Sequence, residues 1–261
     1  MIYEKETGLI RSGLFEVQNE IGLGHHEEIY HKAMVIWLKQ QNIPFTSKAP
    51  HPLLFDDHVA HMLYPDLVVW DKMTIELKSV PRHLREPEQV QIFNYLKRRN
   101  DKLGLLVNMG LDRVHVERIV YDPPVYEHIE DWQHWNNRIT ETDRNTGLRI
   151  REILQKVYDV HQTGYGTEVL EKLILFGLQK QGLHFISSPK GTSLFQEHVL
   201  GETPFDCIFI ENRLLLVFTA LFDDNQFNIS RGLSFMKCLN IPWGIAANFG
   251  KNEVQINALS I

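Results

Sequence analysis

The sequence predicts a mixed α/β fold in two similar halves, and three observations carry that expectation. First, 261 residues is long for one small domain, and a content of 43% hydrophobic and 23% charged residues suits a chain with a real core. Second, apolar residues alternate along the chain between helical and strand spacing. Third, the segment GHHEEIYHKAMVIWLKQQNIPF, from Gly24, has an echo in GYGTEVLEKLILFGLQKQGLHF, from Gly164. At that constant offset about 22 of roughly 121 paired positions are identical, near three times chance. The pairs include Phe45 with Phe185, Asp66 with Asp206, Gly104 with Gly244, Asn108 with Asn248 and Gly110 with Gly250. The expected domains are residues 1–122 and 146–261. The linker between them, 123–145, opens on Pro123-Pro124 and carries Trp132 and Trp135 at helical spacing, read as a docked linker helix.

The elements follow in order. An amphipathic helix through Leu14, Val17 and Ile21 ends at a Gly-x-Gly turn, and a second helix runs through Tyr30, Ala33, Met34, Trp37 and Leu38. A strand near Leu53-Leu54-Phe55 precedes a two-stranded hairpin from Tyr64 to Val80. A helix from about Pro87 to Arg99 leads into the apolar strand Leu103–Asn108, and a last strand runs from Val114 to Val120. The order is that of a mixed sheet flanked by helices.

Composition excludes several classes. The longest apolar run, Leu214–Phe218, has strand length, which argues against a membrane span. The N-terminus lacks a continuous apolar signal core. Cys207 and Cys238 are too few for a disulfide framework and read as free thiols of a cytoplasmic protein. A net charge of −6 excludes a globally basic nucleic-acid coat but leaves room for a local basic groove. His25, His26 and His31 lack further ligands at zinc spacing and read as surface histidines.

In the first half the hairpin reads Pro65-Asp66-Leu67-Val68-Val69-Trp70-Asp71-Lys72-Met73-Thr74-Ile75-Glu76-Leu77-Lys78, followed on a helix by Gln91-x-x-x-Tyr95. An Asp, two strands of apolar residues and then Glu-x-Lys resembles the PD-(D/E)XK phosphodiesterase superfamily of restriction and repair nucleases. Upstream, Gly24-His25-His26-Glu27-Glu28-Ile29-Tyr30 is similar to the signature of its GxxExxY branch, and Gly104–Gly110 looks like that branch's closing GLL-(I/V)-N-(F/M)-G strand. The resemblance covers nearly all of the first half. It implies a restriction-endonuclease-like domain, present as a tandem duplication.

The chemistry makes sense of these residue types. Glu76 and Lys78 lie two apart on a strand and share a face, while Ile75 and Leu77 point into the core. For Asp66 to share that face opposite Glu76, the loop must have three residues, Trp70-Asp71-Lys72, with the third expected to be left-handed, as Asn212 would be in the second half. Asp66, Glu76 and the Leu77 carbonyl would then offer hard oxygen ligands to Mg²⁺ or Mn²⁺, which can activate an attacking water and neutralise charge on a phosphate. Lys78 is placed to orient that water or stabilise the developing charge. The resemblance implies that Glu27 adds an acidic group, from the helix before it, to the catalytic and metal set. It also implies that Gln91 holds the water or a ligand, with Tyr30 and Tyr95 in support.

At the same offset the second half has Leu216 for Glu76, Phe218 for Lys78, Arg231 for Gln91, Thr167 for Glu27 and Leu170 for Tyr30, leaving Asp206 alone. A degenerate half that keeps the fold, in an intramolecular pseudo-dimer with the first, is the expectation. For substrate, Lys97, Arg98, Arg99 and Lys102 are the candidate nucleic-acid contacts. The expected activity is Mg²⁺-dependent phosphodiester hydrolysis of nucleic acid, with DNA ahead of RNA. The alternative is a non-catalytic nucleic-acid- or protein-binding adaptor on a nuclease fold.

Overall fold

The structure, a computed structural model, describes residues 2–123, 125–136, 138–196 and 198–261. Pro124, the second residue of the prolyl stop, lies outside the described residues. The chain divides into two compact units, one of residues 1–53 and 62–123, the other of residues 54–61 and 124–261.

Helices α1 (Glu4–Ile21) and α2 (Glu27–Gln40) open the first unit. Between them Gly22 and Gly24 take φ of 82° and 85°, which L side chains rarely adopt, so the turn needs its two glycines. The strands β1 (Phe45–Ser47), β2 (His51–Phe55), β3 (His58–Leu63), β4 (Leu67–Val69) and β5 (Met73–Lys78) follow, then α3 (Glu86–Arg99), β6 (Leu103–Asn108) and β7 (His115–Val120). Five of them form a mixed sheet in the order β1-β4-β5-β6-β7, and β2 pairs with β3. β5 and β6 run parallel, so α3 is the crossover that returns the chain to the same end of the sheet. One face of the sheet packs Ile75, Leu77, Leu105 and Val107 against Ile10, Leu14, Met34 and Leu38 of α1 and α2. The other sets Leu106 against Ile92 and Leu96 of α3. Strands covered on both faces carry continuous apolar runs, and Glu76 interrupts one of them.

In the second unit β8 (Glu127–Asp131) and a 3-10 turn (Gln133–Trp135) precede α4 (Glu141–His161) and α5 (Thr167–Lys180). Next come β9 (Phe185–Ser187), β10 (Lys190–Phe195), β11 (His198–Pro204), β12 (Ile208–Ile210) and β13 (Leu214–Ala220). The unit ends with α6 (Asn225–Leu239), β14 (Trp243–Phe249) and β15 (Glu253–Ser260). Six strands are ordered β8-β15-β14-β13-β12-β9. Residues 54–61 belong here: the Leu54 carbonyl lies 2.6 Å from His161 Nε2, Asp56 pairs with Lys156 at 3.0 Å, and the Phe55 ring meets Phe176 edge-on.

The expected linker helix is instead strand β8, parallel to β15, followed by the 3-10 turn. Two aromatics three apart suit a three-residue turn as well as an α-helix. Trp135 is buried and donates from Nε1 to the Leu259 carbonyl (2.9 Å), while Trp132 donates to Glu130 Oε2 (2.6 Å).

The hairpin register is the expected one. Leu67 pairs with Ile75 and Val69 with Met73, around a three-residue loop. Its left-handed residues are the first two, Trp70 (φ 53°) and Asp71 (φ 50°), and not the third. Lys72 N donates to Val69 O (3.2 Å), closing the mirror-image turn whose twist matches the strands it joins. The second unit repeats this shape with Glu211 and Asn212 left-handed.

The strict sequence offset does not survive that second hairpin. Met73 pairs with Leu103, whereas Leu214 pairs with Trp243, so β13 has slipped by one residue while β14 keeps the offset. Lys48 N donates to the Asp66 carbonyl, and in the same place Ser188 N donates to the Cys207 carbonyl. By pairing, the counterparts of Asp66, Glu76 and Lys78 are therefore Cys207, Val217 and Thr219, not Asp206, Leu216 and Phe218. Upstream of that slip, the β10–β11 ladder shifts register between Ser193 and Leu194.

Candidate active site

Asp66 stands at the entry to β4, and Glu76 and Lys78 stand on β5, in a register that sets Asp66 opposite Glu76. Only 7% of Asp66 and 2% of Glu76 is exposed. Asp66 Oδ2 accepts from Leu77 N (2.8 Å), which fixes the carboxylate against the strand. A residue's N–H and C=O leave a strand on the same side, so the Leu77 carbonyl faces the same way. Lys78 Nζ donates to Glu76 Oε1 (2.7 Å) and lies 3.8 Å from Glu27 Oε2, with Glu27 reaching in from the first turn of α2.

Two carboxyl groups, Glu76 and Glu27, thus share one ammonium, with the Asp66 charge close by. Burial, with Asp66 close by, pushes the Glu76 carboxyl up to about 8 in spite of Lys78. Burial also raises Glu27, against the pull of Lys78. Burial alone would lower Lys78, but Glu76, Glu27 and Asp66 outweigh it and hold the ammonium above its ordinary value. Glu76 Oε2 is buried with no hydrogen-bond partner among the described residues. A bare carboxylate oxygen is costly in such a place unless something pairs with it.

The surrounding elements keep this geometry. Asn108, at the end of β6, accepts from Val80 N (3.1 Å) and Gly110 N (3.0 Å) and donates to Val80 O (3.1 Å) and Arg82 O (2.8 Å). A Cβ on Gly110 would lie 2.4 Å from Val80 N, so the backbone can pass there only with glycine. The closing Asn-Met-Gly thus clamps the chain just beyond Lys78. From α3, Gln91 Nε2 donates to the Tyr95 hydroxyl (2.9 Å). Burial, and then Glu76, holds the Tyr95 phenol above its ordinary range, so this pair borders the carboxylates. Tyr30 is fully buried and donates to the Gly22 carbonyl (2.7 Å), which fastens the Gly-x-Gly turn to α2 and not to the carboxylates.

Residues 4–119 match the PD-(D/E)XK nuclease superfamily. The match runs from the start of α1 to the penultimate residue of β7 and so contains every carboxylate just described. Among curated proteins no relative matches the chain.

Nucleases of this superfamily typically use divalent metals, and the donor set can be tested against that. Among the described residues no three His, Cys, Asp or Glu side chains converge into a metal cage. Mg²⁺ does not need one, since it is usually held by one or two carboxylates and keeps several waters. Asp66, Glu76 with its orphaned Oε2, and the Leu77 carbonyl are hard oxygen donors on one side of β5, and they fit such an ion.

The basic cluster lies elsewhere. α3 runs back to the start of β5, and Arg99 pairs there with Asp71 of the hairpin loop and with Asp101, both at 2.9 Å. Arg98 donates to the Pro52 carbonyl (2.7 Å), and burial pushes Lys97 down to about 8. Lys102 is exposed just beyond that end of the helix. Six residues of helix after Gln91 carry Lys97 roughly 9 Å away along the axis, which sequence adjacency conceals.

Sequence reasoning misses two residues near the carboxylates. Lys48, left-handed at φ 47°, follows β1 directly beside Asp66, and its ammonium pairs with Glu28 at 2.5 Å. His31, expected at the surface, is 6% exposed, one turn after Glu27 on α2. Its position on the buried face of α2 was readable, since it lies three residues before Met34 and seven before Leu38.

In the second unit the same places hold different chemistry. Cys207 is buried, and burial with Asp206 nearby pushes its thiol up to about 12. Val217 is core, and Thr219 donates to Asn248 Oδ1 (2.6 Å). Arg231 reaches the Phe218 carbonyl (2.8 Å) and Asp206 (3.0 Å), whose side chain is 72% exposed.

Proposed function

We propose that the first unit is a divalent-ion-dependent nucleic-acid phosphodiesterase, with DNA the first substrate class to test, and that the second unit is a degenerate copy of it. The observation that carries the reading is the buried, unpaired Glu76 Oε2 beside Asp66 and Lys78. Burying that oxygen bare has a cost that a bound cation removes. Mg²⁺ or Mn²⁺, when bound, supplies charge neutralisation on the phosphate and a more acidic water. Asp66, Glu76 and the Leu77 carbonyl would hold it. Lys78 Nζ, between Glu76 and Glu27, orients the attacking water and stabilises charge on the phosphate. Glu27 Oε2, 3.8 Å from that ammonium, helps keep it charged and in place beside the carboxylates. Gln91 and Tyr95 line the α3 side. Lys48 lies on the carboxylate side, where a phosphate would compete with Glu28 for its ammonium.

Tandem duplication is supported by the like order of helices and strands in both units and by the shared hairpin turn. Degeneracy is supported by Cys207, Val217 and Thr219, which leave no oxygen pair for a cation, and by Arg231, whose guanidinium takes up the Gln91 position. A binding role without catalysis suits the second unit alone.

The test is cleavage of a panel of circular and linear DNA and RNA with Mg²⁺ or Mn²⁺, against a chelator control. Ion-dependent cleavage of at least one substrate is expected. Full-length protein that is folded, takes up the ion and cleaves none of them would overturn the reading.

A further inference from the structure

His31 Nε2 lies 3.2 Å from the Asp66 carbonyl oxygen and 3.0 Å from Ser47 Oγ. A carbonyl only accepts, so the contact requires the tautomer with the proton on Nε2, whose N–H the Ser47 hydroxyl oxygen then shares as a second acceptor. The same Asp66 carbonyl accepts from Lys48 N (3.1 Å), and the Asp66 side chain accepts from Leu77 N. Asp66 is therefore held at three points, two on its backbone and one on its carboxylate. Two of them come from the sheet side, through the residue that follows β1 and through β5. The third comes from α2, one turn after Glu27 and on the same face, so a single helix face carries one site carboxylate and the clamp on another.

The clamp has a cost. His31 Nδ1 is buried with no hydrogen-bond partner among the described residues. An apolar side chain of the same size would avoid that penalty and still fill the space. Orphaned polar atoms in a core call for a compensating gain, and here the gain lies at Asp66.

We infer that His31 is a positioning residue: by donating from Nε2 to the Asp66 carbonyl and bracing Ser47, it fixes where the Asp66 carboxylate stands relative to Glu76. The inference rests on the nuclease reading for its catalytic consequence, but its structural content stands apart from it. Outer-shell partners of metal ligands are worth roughly 10–100-fold in metal affinity or activity.

The test compares wild type with His31→Met and His31→Gln in the full chain. Methionine keeps volume and removes the donor, while the glutamine amide can place a donor near the imidazole Nε2. Three measurements are made: amide hydrogen exchange at Leu77 and Lys48, Mn²⁺ affinity by calorimetry, and kcat and KM on the substrate found to be cleaved. In His31→Met, faster exchange at both amides is expected, with Mn²⁺ affinity and kcat reduced by about tenfold or more and KM little changed. His31→Gln should restore exchange protection and most of kcat. Wild-type exchange rates in a folded His31→Met protein would overturn the inference, as would equal loss in both variants. If wild type neither binds Mn²⁺ nor cleaves, the nuclease reading falls, while the exchange rates still decide whether His31 holds Asp66.

Discussion

Glu76 is an acid in a place that disfavours its charge, and this gives the metal-free protein a pH signature. Its ordinary value is 4.5, and burial raises it to about 8. Between those values the unfolded chain has released the proton while the folded one retains it, so stability falls as pH rises through that window and levels off above it. Glu76→Gln removes the penalty. Its melting temperature should exceed wild type at pH 8, by an amount corresponding to roughly 1–3 kcal/mol, and match it near pH 4.5. Parallel pH profiles in a thermal denaturation series would count against a strained acid. Lys48 makes a different forecast. Lys48→Ala should weaken nucleic-acid binding across sequences and reduce the log-log salt slope by about one, with Mn²⁺ affinity unchanged. An unaltered slope in a salt titration would remove Lys48 from the phosphate path. The placement of Glu76 and Lys78 on one face was legible because two residues apart on a strand means one face. Lys48 was not, because its approach to Asp66 depends on β1 pairing beside β4, and a three-residue strand leaves no periodic trace; the burial of His31 was readable from α2, but its reach to the Asp66 carbonyl was not.

At the scale of elements, the site is two strands, the turn that registers them, and the clamp beyond them. The hairpin register could be deduced because a one-residue slip would place the carboxylates on opposite faces. The turn's handedness could not, since nothing in Trp70-Asp71 announces two residues at positive φ. The closing Asn-Met-Gly was legible as a motif, but its action as a clamp depends on Asn108 holding Val80 and Arg82, which no spacing announces. Gly110→Ala would drive a Cβ into Val80 N. It should cost about 2–4 kcal/mol, read as a lower denaturation midpoint, and weaken Mn²⁺ binding by shifting the segment after Lys78. A Gly110→Ala protein as stable as wild type would show that the backbone relaxes and that the clamp is dispensable. The basic run at 97–102 shows the opposite failure. It was conspicuous in sequence, yet the parallel β5–α3–β6 crossover carries it to the far end of the sheet from the carboxylates.

Across the whole molecule, no helix among the described residues is long and apolar enough to cross a membrane. Identities at one offset are what suggests a repeat, and the strand pairing sets like positions one residue away from that offset at β12–β13. That slip changes the design of a reversion. Cys207→Asp, Val217→Glu and Thr219→Lys are the substitutions that would rebuild the set, and together they should still give no second site, because Arg231 stands where Gln91 would be. Asp206→Asn should leave turnover within about twofold of wild type, since Asp206 pairs with Arg231 at an exposed surface. Cleavage rates of these variants, each checked for folding, test the division into one complete and one degenerate unit. The central claim, that Asp66, Glu76 and Lys78 form a single divalent-ion-dependent hydrolytic site, meets its most direct test in one comparison. That measurement is the initial cleavage rate of wild type and of folded Glu76→Gln at saturating Mn²⁺ on the same substrate. The expected result is robust cleavage by wild type and a loss of about a thousandfold or more in the variant. Comparable rates in the two proteins would contradict the account.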